Sequence, residues 1–178
     1  MTQAAAMSSA EAAIPSPANF EGADAHRAAS IPTQLISFAI GADQYGVDIM
    51  AVREIKGWTD VTHLPRQPDY VRGVLNLRGA VVPIIDLRCR FGQGMTEATP
   101  LHIAIIVQIA SRQVGLLADR VLDIVSFESS QVQPVPRIAN STRISFLSGL
   151  LMVDGAMIAL IDLPNLLSGH EEESAAAH

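Results

Sequence analysis

The chain has 178 residues, of which 49% are hydrophobic, 17% charged and 4% aromatic. This composition excludes a wholly disordered polymer and leaves enough apolar material for one domain or two small halves. A net charge of −6 argues against a general attraction to nucleic acid or anionic membrane. The single cysteine, Cys89, cannot form an internal disulfide, which fits a reducing cytoplasm.

The first 32 residues are rich in Ala, Ser and Pro and read as a flexible arm. Glu11, Pro15, Pro17, Glu21 and Asp24 interrupt any apolar run of the kind a secretory leader has. The folded body is expected over 33–167, followed by a second flexible segment over 168–178. Gln34–Ile40 reads as a strand, Gly41–Gln44 as a turn and Tyr45–Asp48 as a second strand. After Asp48, a favourable N-cap, the spacing of Ile49, Val52 and Ile55 predicts a short helix or helical turn. Gly73–Leu77 and Ala80–Asp86 read as a hairpin about Arg78-Gly79. Further strands are expected over Leu101–Ala110, Val114–Ala118 and Val121–Phe127. A second hairpin, Leu150–Val153 with Ala156–Ile161, turns about Asp154-Gly155. The apolar window Ile144–Ile161 is therefore read as two strands and a turn, and no direct membrane insertion is expected.

An internal repeat organises these elements. Gly73–Leu87 aligns without gaps on Gly149–Leu163, an offset of 76 residues, with seven of fifteen positions identical. A weaker match pairs Gln44-Tyr-Gly-Val with Gln113-Val-Gly-Leu, an offset of 69 residues, and continues through Val52 and Val121, Glu54 and Asp123, and Ile55 and Ile124. The expected plan is mainly β: two small five-stranded antiparallel barrels with short helices, sharing a buried apolar seam. The halves span about 33–95 and 100–167, with exchange of terminal elements between them left open; a half of this size is marginal alone. Each half is expected to carry a helical turn after its second strand, and Asp86 and Asp162 to cap the segments that follow them. Arg78 stands where its twin is Asp154, so turn geometry does not demand its charge.

Candidates for chemistry are sparse. No glycine-rich phosphate or dinucleotide motif occurs. His26, His63, His102, His170 and His178 lack ligand spacing, so no metal or other cofactor is expected. Cys89, flanked by Arg88 and Arg90, reads either as a nucleophile of lowered pKa or as packing, with packing favoured. Asn140-Ser141-Thr142 fits a glycosylation sequon without relevance in a cytoplasmic chain. The segment 53–90 sets Arg53, Lys56, Arg66, Arg72, Arg78, Arg88 and Arg90 against four acids, a local net of +3. This is either a solvated face or an interface for carboxylates.

Tyr45-Gly-Val-Asp-Ile49, Val52-Arg-Glu-Ile55, Gly73-Val-Leu-Asn-Leu-Arg-Gly79 and Val82-Pro-Ile-Ile-Asp-Leu-Arg88 together resemble the CheW-type chemotaxis coupling proteins over about 34–167. The resemblance implies two five-stranded barrels and a protein without catalytic activity. It also implies a cytoplasmic adaptor that docks the histidine kinase CheA, through the kinase's CheW-like regulatory domain, to the tips of chemoreceptors. Glu54 and Arg78 are implied as a charged coupling pair, with Asp123 and Asp154 as their internal twins. A receptor helical hairpin is implied in a groove near Ile49, Val52, Ile55 and Val121. Array assembly with other CheW-like domains is a further implication. Alternatives are a CheW-like adaptor of a pilus or biofilm pathway, a small barrel enzyme using Cys89, and a nucleic-acid module.

Overall fold

The computed structural model describes residues 32–136 and 144–168; the arm up to residue 31, the segment beyond residue 168 and the sequon at 140–142 lie outside the described residues. In chain order the strands are β1 (Thr33–Ile40), β2 (Asp43–Asp48), β3 (Val52–Gly57), β4 (Val71–Leu77), β5 (Ala80–Asp86), β6 (Ile103–Ile109), β7 (Arg112–Ala118), β8 (Arg120–Phe127), β9 (Val132–Gln133), β10 (Leu147–Val153) and β11 (Ala156–Ile161). A single helical turn, α1 (Leu87–Arg90), follows β5, and a helix over 163–168 follows β11.

Neither sheet is built from one half of the repeat. One has the order β8-β1-β2-β11-β10-β9, the other β3-β6-β7-β5-β4, so the first hairpin of each half pairs with strands of the other half. The pairings are antiparallel except for one in each sheet: β11 runs parallel to β2, and β5 to β7. This corrects the wholly antiparallel expectation. A parallel pair needs a long crossover, and exchange between the halves supplies one in each sheet. The repeat holds down to register, since Ile84 faces Gly115 in one parallel pair and their twins Leu160 and Gly46 face each other in the other. Both glycines sit where a side chain would strike the barrel filling: a Cβ on Gly115 would lie 2.3 Å from Ile84 Cδ1, and one on Gly46 3.0 Å from Leu35 Cδ1.

Three apolar clusters follow from this arrangement. Leu77, Val82, Ile84, Ala104, Ile106 and Leu117 fill the five-stranded barrel, and Leu35, Leu151 and Ile158 centre the six-stranded one. Between them lies the largest cluster, with Ile36, Phe38 and Val47 from one sheet and Ile85, Ile105, Val107 and Leu116 from the other. Strands that line an interior on one side and this seam on the other are buried on both faces, so β1, β6 and β7 read as continuous apolar runs.

The predicted helical turn after Asp48 is confined to a 3-10 turn, Ile49–Ala51, capped by the Asp48 carboxylate accepting from the Met50 amide. Residues 52–57 are strand, and a bulge explains the helix-like spacing. Val52 faces Val107 and Glu54 faces Ile106, so Arg53 is an extra residue. The extra residue brings Val52 and Ile55 to the same face despite their spacing of three. The twin strand repeats the device at Leu122. The second half has no helical turn at the corresponding place, where β7 passes to β8 through the single bend residue Asp119. Asp86 caps α1 through the Cys89 amide and also accepts from the amide and hydroxyl of Thr96. Asp162 accepts from the Asn165 amide, as a cap of the last helix.

Three of the seven basic residues of 53–90 tie the body together. Arg72 donates to the Thr96 carbonyl and lies 3.6 Å from buried Asp86. Arg90 lies over the rings of Tyr70 and Phe146 and donates to the Leu166 carbonyl. Arg88 grips both oxygens of Asp119 at 3.0 and 2.8 Å. Burial alone would raise the Asp119 carboxyl, but the Gly41 amide and then the bond and charge of Arg88, with His102 beyond, hold its pKa below the ordinary value.

Gly73 has φ of +140°, and a Cβ there would lie 2.4 Å from the Thr62 carbonyl oxygen, which is itself bonded to the Val74 amide. Gly73→Ala is expected to cost about 2 kcal/mol or more in urea unfolding, through strain and backbone clash. Gly57→Ala, with open space around it, is expected to stay within about 0.5 kcal/mol of the parent. Because the Asp119 pKa is lowered by folding, its contribution is present above the unfolded value of about 3.9 and is lost as pH falls through the folded value. Asp119→Asn should therefore lower stability at pH 7 by roughly 1–3 kcal/mol and flatten the acid limb of a stability-versus-pH curve below about pH 4.

Candidate functional site

The Arg78-Gly79 turn and its twin Asp154-Gly155 have one geometry. Arg78 and Asp154 have φ of 52° and 49°, and the glycines after them 89° and 79°, the two positive angles of a type I′ hairpin. Asn76 completes the first turn by accepting from the Gly79 amide. Arg78, with an 87% exposed side chain, reaches across to Glu54 Oε2 at 3.2 Å. Glu54 lies on β3, at the opposite edge of the five-stranded sheet from β4. The pair therefore spans the gap between the two edges, next to the backbone bonds that join Thr62 to Val74. The corresponding positions on the other barrel are two carboxylates, Asp123 and Asp154.

The apolar candidates divide. Ile49, Val52 and Val121 are half-buried and pack on the cluster shared by the sheets. Ile55 is 41% exposed, and stands opposite Ile105, a member of that cluster. Directly opposed residues point to one face, so Ile55 extends the seam-facing surface outward along edge strand β3. Its twin Ile124, 54% exposed, stands opposite Ile36 and does the same on edge strand β8. Ile124 was missing from the residues singled out from sequence, although the repeat pairs it with Ile55. Met50, 80% exposed in the 3-10 turn between β2 and β3, was missed as well; no periodic pattern marks it.

The remaining chemistry is quiet. Cys89 has its thiol pushed up by burial first and then by Asp86 and Asp69, with Arg72 opposing. This speaks against the lesser alternative of a lowered pKa and fits the packing reading favoured from sequence, because Arg88 turns to Asp119 and Arg90 to the Leu166 carbonyl. Among the described residues no group of His, Cys, Asp and Glu is placed to hold a metal, and no helix is long and apolar enough to cross a membrane.

A paired-barrel body whose edge strands β3 and β8 each carry an exposed isoleucine beyond the shared cluster, with an ion pair on β3, belongs to the class of β-barrel interaction modules. A family profile described as a CheW-like domain matches residues 34–171. The chain is 46% identical over 142 residues to the chemotaxis protein CheW of Rhizobium meliloti, covering 80% of this chain and 92% of that one. It is 36% identical over 142 residues to the chemotaxis protein CheW of Klebsiella aerogenes, covering 80% and 86%. The crystal structure of the scaffolding protein TtCheW from Thermoanaerobacter tengcongensis superposes with a TM-score of 0.71 at 30% identity, covering 81% of this chain and 93% of that one. The chain belongs to the CheW-like domain family.

Arg78→Asp, which imports the twin's residue into the same turn, is expected to change stability by less than about 1 kcal/mol in thermal unfolding, because an exposed pair contributes little.

Proposed function

We propose that the chain is a non-catalytic adaptor of chemotaxis signalling that couples chemoreceptors to the histidine kinase CheA. The observation that carries the reading is the union of the CheW-like body with the Arg78–Glu54 pair on edge strand β3, whose other face carries Val52 and Ile55. A helical hairpin of a receptor tip lies along Ile49, Val52, Ile55 and Val121, joined by Ile124. These side chains supply affinity by burial, and the charges at the rim set register. Ile49, Val52 and Val121 are half-embedded in the shared cluster, so they present a rigid floor that loses little freedom on binding. The kinase's CheW-like domain is the second partner, and the adaptor works in the cytoplasm beneath the receptors.

The turn supports a recognition role for Arg78 and Glu54 over a structural one. Asp154 holds the same positive φ with an acidic side chain, so the turn does not require the charge of Arg78. Lys56 and Arg53 lie on the same strand as Glu54 and extend the rim charge.

Co-sedimentation with receptor-containing membranes and CheA tests the reading. Arg78→Ala and Glu54→Ala are each expected to weaken recovery or kinase activation on the order of tenfold, the equivalent of about 1.4 kcal/mol. Unchanged recovery and unchanged activation in both variants would overturn the assignment of the pair.

A further inference from the structure

The two chain crossings between the sheets are built differently, and only one of them is latched. From β2 to β3 the chain passes through the 3-10 turn Ile49–Ala51, with Met50 largely in solvent. From β7 to β8 it passes through Asp119, the repeat counterpart of Met50. The Asp119 carboxylate accepts from the Gly41 amide at 2.7 Å and from Arg88 Nη2 at 3.0 and 2.8 Å, with His102 Nε2 at 3.6 Å, while its own amide donates to the Ala39 carbonyl. Gly41 belongs to the β1–β2 turn of the six-stranded sheet. Arg88 rides on α1, which the buried carboxylate of Asp86 anchors to the end of β5 in the other sheet. One side chain thus joins elements of both sheets at the residue before β8. The repeat counterpart of Arg88 is Pro164, so the second half cannot build the same pair.

Like β3 and β4, β8 is an edge strand with a bulged ladder, and of the three it is the one that starts beside this latch. It lies at a sheet edge, with β1 as its sole ladder partner, and the ladder is interrupted at the Leu122 bulge. At the bulge the buried Ser37 hydroxyl takes over, donating to the Asp123 carbonyl and accepting from the Asp123 amide. We infer that Arg88 and Asp119 are positioning residues for partner binding: by fixing where β8 leaves the crossing, they set Val121 and Ile124 against β3. This rests on the reading of those residues as part of the receptor site.

The test uses the full chain, with Asp119→Asn, Arg88→Lys and the charge exchange Arg88→Asp with Asp119→Arg. Arg88→Lys keeps the charge but replaces the planar guanidinium, whose Nη2 bonds both carboxylate oxygens, with a flexible ammonium. Amide hydrogen exchange of the free protein is read over β8, with β6 and β10 as internal references, and binding to receptor-containing membranes is measured alongside. The single variants are expected to speed exchange over β8 at least about tenfold more than over the references, whose change reports the global loss of stability, and to bind about threefold to tenfold more weakly. The exchanged pair is expected to recover part of both effects. Parent-like exchange over β8 in both single variants would overturn the latch. Faster exchange with parent-like binding would overturn the positioning role alone and leave the receptor reading standing. A parent chain that does not bind the membranes would overturn the receptor reading, and the positioning role with it.

Discussion

Neither half of this chain can complete its own barrel, and that constraint governs the rest of the structure. Beyond their own hairpins, β1 and β2 are flanked by β8 and β11, and β6 and β7 by β3 and β5, all strands of the other half. The chain must therefore cross between sheets, and the faces left outside the two interiors are pressed together into one seam. Each fully buried Phe, Leu, Ile or Val in that seam contributes roughly 1.5–3 kcal/mol. The Arg78–Glu54 pair, with Arg78 in solvent and Glu54 half-buried, contributes about 1 kcal/mol or less. Stability resides in the seam, and the rim charges are free to serve recognition.

The exchange also shapes the surface that partners meet. Edge strands β3 and β8 each begin where the chain has just crossed from the other sheet, so Val52, the first residue of β3, and Val121, the second of β8, are rooted in the shared core. Three residues further along, after a bulge, Ile55 and Ile124 emerge into solvent. The same continuous apolar surface is core at one end and candidate interface at the other. The repeat makes the two strands alike, while Arg78–Glu54 against Asp154 and Asp123 makes the rims differ.

Much of this was legible in the sequence, for particular reasons. The hairpins at Arg78-Gly79 and Asp154-Gly155 stood out because a type I′ turn needs positive φ at both positions and admits few residues. The repeat and the seam followed from matched apolar positions. Strand β3 was misread as helical because a bulge at Arg53 turns the period of two into a spacing of three. The roles of Arg72, Arg88 and Arg90 were hidden because their partners lie far along the chain: Asp119 is 31 residues from Arg88, and Leu166 is 76 from Arg90. For Cys89 the favoured packing reading fits its burial-raised pKa, because the flanking arginines point elsewhere.

The central claim is that a receptor's helices lie on the strip between β3 and β8. Isoleucine methyl NMR of the full chain, titrated with a receptor cytoplasmic fragment, tests it most directly. The account predicts that the methyls of Ile49, Ile55 and Ile124 shift, while those of Ile84 and Ile106 inside the five-stranded barrel and of Ile158 inside the six-stranded barrel stay in place. Binding that leaves Ile49, Ile55 and Ile124 unmoved would contradict it.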